Sequence, residues 1–146
     1  MDLTRDVPRS PYASLGGIVF LPRAIDKARA EATGALGEYV SRRGFSTEML
    51  EFLGLDVDAF HAAVAANATD ADVLAWVQAN MTERSPDEIA AWNAMMMTQT
   101  PATPEREAWY RAFLEDIGQG HRTDLSRQFD RLDLDEGRDV PLGGRR

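Results

Sequence analysis

The chain is punctuated by helix starts. Ser85-Pro86-Asp87-Glu88 and Thr103-Pro104-Glu105-Arg106 each set a hydroxyl residue before a proline and an acid within the next two positions. A hydroxyl there accepts a hydrogen bond from an otherwise orphaned backbone N–H, and proline at the first helical position has no N–H to leave unpaired. Asp56 and Thr69 suit the same capping role, as do Ser46 ahead of Glu48 and Thr123-Asp124 ahead of a last short helix through Leu132. Between these starts, apolar residues recur at helical spacing: Val57, Phe60 and Val64; Val73, Leu74, Trp76 and Val77; Ile89, Trp92 and Met96; Trp109, Phe113 and Ile117. Glycines at 54, 118 and 120 supply stops. So many short capped segments within 146 residues predict an all-α fold of six or seven helices with short connections.

Ahead of that series, residues 1–17 read as an irregular lead-in broken by Pro8, Pro11, Gly16 and Gly17, with Leu3, Tyr12 and Leu15 available to anchor it. Pro22 opens a helix expected to run to Thr33 and stop at Gly34. Its residues Leu21, Ile25, Ala28 and Ala32 share one face, and Arg23, Lys27 and Glu31 another. Residues 34–45 carry three glycines and are assigned to loop, with a short strand near 36–40. The tail 134–146 ends in glycines and arginines and is expected to fray. One domain over residues 1–146 accommodates these pieces, since a chain of this size buries about two-thirds of its unfolded surface.

Composition removes whole classes of function. No cysteine is present, which excludes disulfides, thiolate metal sites and a cysteine nucleophile. No apolar run approaches the roughly 20 residues that span a bilayer, and the N-terminus lacks the order of a signal peptide. Cytoplasm is therefore the expected compartment, and the protein is expected to be soluble. Seven Lys and Arg face five Asp and Glu in residues 1–43, but nine face nineteen in residues 44–146. An acidic surface repels phosphate backbones, and the span from Ser46 to Asn80 holds no Lys or Arg at all, so nucleic acid is not an expected partner.

Neither His61 nor His121 stands in a metal-ligand spacing, and the run Leu132–Gly137 is out of phase with a calcium loop, so neither a metal nor a cofactor is expected. No nucleophile elbow or phosphate-cradling glycine loop occurs, and the absence of any catalytic signature leans against an enzyme. Two surfaces stand out. Arg23, Asp26, Lys27 and Arg29 concentrate charge of both signs on one helix that holds the chain's single lysine, and with Tyr39 they form a candidate ligand-binding set. The plainer reading makes this a surface helix on which Asp26 offsets its neighbours. Trp76, Trp92, Met95, Met96 and Met97 form a candidate apolar contact surface, since methionine adapts to irregular partners. The plainer reading there is core.

The order Asp2-Leu3-Thr4, Pro8-Arg9-Ser10-Pro11, Leu15-Gly16-Gly17, Leu21-Pro22-Arg23 and Ile25-Asp26-Lys27-Ala28-Arg29-Ala30 resembles the bacterial DUF5069 family, a domain of unknown function. Gly34-x-Leu36-Gly37-Glu38-Tyr39, Phe52-x-Gly54-Leu55-Asp56 and Val73-Leu74-x-Trp76-Val77 extend the likeness over the first 80 or so residues. The resemblance implies a small bacterial protein and carries no activity or catalytic residue with it. Two functions follow from the residues themselves. One is a non-enzymatic helical module that binds a protein partner or small ligand. The other is an enzyme or sensor that handles a small anionic metabolite through the basic helix 22–33.

Overall fold

A computed structural model describes residues 1–145 and is mostly helical. Two strands, β1 (Ser14–Leu15) and β2 (Ile18–Val19), precede seven helices: α1 (Leu21–Ala32), α2 (Phe45–Leu53), α3 (Val57–Ala66), α4 (Asp70–Asn80), α5 (Pro86–Met97), α6 (Pro104–Asp116) and α7 (Gln128–Asp135). The chain divides into two compact units, Met1–Ile89 and a second beginning at Ala90.

In the first unit the chain enters through an antiparallel hairpin that pairs Ser14 with Val19 and Leu15 with Ile18. Its two turn residues, Gly16 and Gly17, have φ of 59° and 77°. Two consecutive positive φ angles make the tight turn whose twist matches a hairpin, and glycine adopts them without strain. The short strand therefore lies here and not near 36–40. That segment turns instead: Tyr39 N–H donates to the Leu36 carbonyl, and Gly37 takes φ 62° where a side chain would meet the Leu3 backbone. Leu3 N–H donates to Ala35 O at 2.8 Å, and Leu3 is buried, which docks the lead-in.

Helix α1 packs chiefly on α3 and also on β1. It starts one residue earlier than Pro22 and ends at Ala32, with Thr33 as the C-cap and Gly34 at φ 68°. Every residue from Leu21 to Ala28 is buried, so α1 has no solvent-facing side over two turns. The two-faced surface helix of the plainer reading is corrected accordingly, and Ala32, expected inside, is exposed. Asp56 caps α3 by accepting from Ala59 N–H, Thr69 caps α4 by accepting from Asp72 N–H, and Ser85 and Glu88 form a capping box at α5. Ser46 does not cap α2. Gly44 does, with φ 69° and ψ −138°, while Ser46 lies inside the first turn and is buried.

In the second unit Thr103 caps α6 as its sequence indicates. The buried residues of α6 are Tyr110 and Leu114, however, and Trp109 is 53% exposed. Tyr110 can sit inside because its hydroxyl donates to Arg127 O at 2.8 Å, and burial pushes its pKa up to about 12. Helix α7 begins at Gln128, not at Thr123-Asp124, because Asp124 instead accepts from Arg122 and from Gly143 N–H. The tail expected to fray is held over its described residues. Arg145 donates to the buried Asp133 carboxylate at 3.0 Å, Arg138 donates to the same carboxylate at 3.2 Å, and Val140 is buried. Arg146 lies outside the described residues.

Two glycines test the first unit. Gly34→Ala is expected to cost about 1–2 kcal/mol, the penalty of a side chain at positive φ with open space around it. Gly37→Ala is expected to cost more, because the added methyl would lie 2.8 Å from the Leu3 carbonyl oxygen and must push the lead-in away. Urea unfolding of the two variants gives the comparison.

Candidate functional site

The buried helix α1 brings three charged side chains inside the first unit: Arg23 at 2%, Asp26 at 3% and Lys27 at 7% exposure. Each needs a partner, since an ion moved out of water costs several kcal/mol before its contacts offset it. Asp26 finds Arg9 of the lead-in. Its carboxylate accepts from Arg9 N–H at 2.8 Å, from Nε at 3.0 Å and from Nη2 at 2.9 Å. Arg9 also donates to both oxygens of Asp70 at the start of α4, at 2.6 and 3.2 Å, and Arg29 donates to Asp70 Oδ1 at 2.9 Å. A chain Asp26–Arg9–Asp70–Arg29 thus joins three segments that are remote in sequence. The hydrogen bond from Arg9, followed by that from Arg29, holds the Asp70 carboxyl below its ordinary range, and the same contact to Asp70 raises Arg9.

Arg23 and Lys27 are four residues apart and so lie one turn apart along α1. Arg23 Nη1 donates to Arg9 O at 3.1 Å, and its guanidinium lies 5.8 Å from the Tyr39 ring centre. Lys27 Nζ lies 5.2 Å from the Phe20 ring centre, and the Phe20 and Phe45 rings are 5.9 Å apart. Phe20 has φ 74°, the one non-glycine residue at positive φ among the described residues. A bulky side chain held there is strained, and such strain persists only where surrounding packing imposes it. Ser46, next to Phe45 in the chain, buries a hydroxyl that has no hydrogen-bond partner among the described residues.

Of the five sequence-selected ligand residues, the structure therefore pairs Arg23 with Tyr39, sets Lys27 one turn further along α1, and engages Asp26 and Arg29 in the ion chain instead. The apolar set differs in burial. Trp92 and Met96 are buried, Trp76 and Met97 are half-buried, and Met95 is exposed.

Beside the C-terminal half of α1 lies an open hollow of about 400 Å³, lined by residues of α1 and α3 and by Arg42. Glu31 is its most constrained polar group. Glu31 Oε2 sits 2.7 Å from His61 Nδ1 and accepts from Ser41 Oγ at 3.0 Å, while Oε1 accepts from Arg42 Nε at 2.9 Å. Burial pushes the Glu31 carboxyl up, but the hydrogen bonds from Arg42 and Ser41 outweigh it and the group ends below its ordinary value. Burial, aided by the Arg42 charge and opposed by Glu31, pulls the His61 imidazole below its ordinary value. Sequence reasoning considered His61 only as a metal ligand, and no cluster of three metal-ligating side chains occurs among the described residues. Arg9 and Asp70 were missed altogether, since nothing local in the sequence links positions 9, 26 and 70.

Nor is any helix of the described residues long and apolar enough to cross a membrane. The arrangement is that of a helical domain with charged side chains sequestered along one buried helix of the first unit. The model of the family described as domain of unknown function DUF5069 matches residues 5–138, and the chain belongs to that family. A search of the curated proteins finds no match.

Two outcomes follow from these contacts. Asp26→Asn leaves Arg9 facing a neutral amide inside the unit and is expected to cost about 3 kcal/mol, whereas Asp70→Asn, at a more exposed position, costs less. Because the folded imidazole of His61 lies below its unfolded value, its contribution is full above about pH 6.5 and is lost as pH falls. Urea stability is therefore expected to drop between pH 7.5 and pH 5, with His61→Gln flattening that slope; the low carboxyls of Glu31 and Asp70 act only at more acid pH.

Proposed function

We propose that this chain is a small-ligand-binding domain of the bacterial cytoplasm that recognises an anion through α1, with Arg23 and Lys27 as the recognising cations. The observation that carries this reading is the burial of two like charges, four residues apart, Arg23 beside the Tyr39 ring and Lys27 beside the Phe20 ring. Packing alone would place apolar residues there at lower cost. An arginine and a lysine on adjacent helical turns suit a carboxylate or phosphate, the arginine through its planar fork and the lysine as a compact charge. Tyr39 belongs to the segment 34–44, whose glycines at 34, 37 and 44 all take positive φ. Movement of that segment would admit a ligand to cations that are otherwise covered.

A protein partner remains a second reading, favoured by one surface of the second unit. The exposed Trp109 ring lies 5.3 Å from Phe113, and the Arg131 guanidinium lies 4.9 and 4.8 Å from those two ring centres. Tryptophan and arginine dominate the energetics of protein interfaces.

Thermal unfolding in phosphate, sulfate or citrate, against chloride at matched ionic strength, tests the anion reading. Saturating stabilisation is expected, about 2.7 kcal/mol at a hundred times the dissociation constant. Lys27→Met and Arg23→Met lose that rise, and Arg43→Met, at an exposed position, keeps it. Equal melting temperatures in all salts, or a rise that survives both α1 substitutions, would contradict it.

A further inference from the structure

The hollow between α1 and α3 carries a reading independent of the anion site, since neither Arg23 nor Lys27 lines it. Ala28 and Ala32 of α1 and Ala62 of α3 contribute its apolar lining, and these short side chains are what leave about 400 Å³ unfilled. That volume suits a small organic molecule. Two carboxylates stand at its rim. Glu31 is fixed, because His61 Nδ1 and Ser41 Oγ both engage Oε2 and leave Oε1 directed to another donor. Asp58 is 87% exposed.

The donor that now bridges them is Arg42. Its Nε lies 2.9 Å from Glu31 Oε1 and its Nη1 lies 2.5 Å from Asp58 Oδ1. Its side chain is 44% exposed and leads from a loop, and ion pairs at such positions contribute little to stability, so the guanidinium can be displaced. The net charge of the unit favours a positive ligand: residues 1–89 hold fourteen Asp and Glu against eight Lys and Arg.

We infer that this hollow binds a small organic cation, a guanidinium or primary ammonium on a short aliphatic stem, and that Arg42 occupies the cation's place when no ligand is bound. The cationic head donates N–H groups to Glu31 Oε1 and Asp58, and the stem lies on the three alanines. Ligand and Arg42 compete for the same oxygens, so the arginine acts as an internal competitor that sets the affinity.

Titration of the full chain with n-butylguanidinium and n-butylammonium tests this, followed by calorimetry and by the imidazole carbon-bound proton of His61, with His121 as the internal control. Both cations are expected to bind and to shift His61 alone. Arg42→Ala is expected to tighten binding about threefold by removing the competitor, and Asp58→Asn to weaken it about threefold. Glu31→Gln abolishes it; if that variant fails to fold, the two exposed substitutions decide. The inference is overturned if neither cation shifts His61 at tens of millimolar, or if Arg42→Ala weakens binding or leaves it unchanged. It is equally overturned if butyrate shifts His61 in a way that Arg42→Ala removes, which would make Arg42 an anion receptor.

Discussion

Asp26 is a carboxylate sealed within the first unit, on a helix that offers it no route to water, and the order of that unit depends on how its charge is met. Arg9 meets it with three N–H donors, two from the guanidinium and one from the backbone. To do so, the irregular lead-in must run against α1, and Arg9 then reaches on to Asp70 and fixes the start of α4. One buried charge thereby organises three segments that share no local sequence signal. Desolvation consumes most of the attraction of a buried ion pair, so the net gain in stability is small even though removing one partner is costly. The network sets α1, the lead-in and α4 where their charged groups satisfy one another.

The helices themselves were legible because capping is local chemistry. Asp56, Thr69, Ser85 and Thr103 each accept from the N–H three residues on, and each was identifiable from its own tetrapeptide. Ser46 misled because Gly44, two residues before it, adopts the capping backbone geometry without a side chain, while the serine lies buried inside the first turn. The hairpin went unread because its strands are only two residues long, too short to display alternation, although Gly16-Gly17 is itself a turn signal.

Burial was less legible than secondary structure. On α6 both Trp109/Phe113 and Tyr110/Leu114 have the spacing of a core stripe, and only the tertiary partner of the Tyr110 hydroxyl decides between them. On α1 the charged residues implied a solvent face, yet Arg23, Asp26 and Lys27 are all inside. Sequence polarity reports what a residue costs to bury, not whether the fold accepts that cost. The five residues selected on α1 and at Tyr39 divide accordingly between two roles. Asp26 and Arg29 belong to the chain of ion pairs, while Arg23, Lys27 and Tyr39 gather with aromatic rings, although Arg23 also donates to the Arg9 carbonyl.

That division is the central claim, and the equilibrium stability of the ligand-free Arg23→Met/Lys27→Met double variant tests it most directly. If the two cations are kept for recognition and the Asp26 network for structure, methionines of similar volume leave the unfolding free energy within about 1 kcal/mol of the parent, or raise it. A loss of about 3 kcal/mol or more, the cost of breaking a buried pair, would show that Arg23 and Lys27 are structural ions and would remove the basis for an anion site on α1.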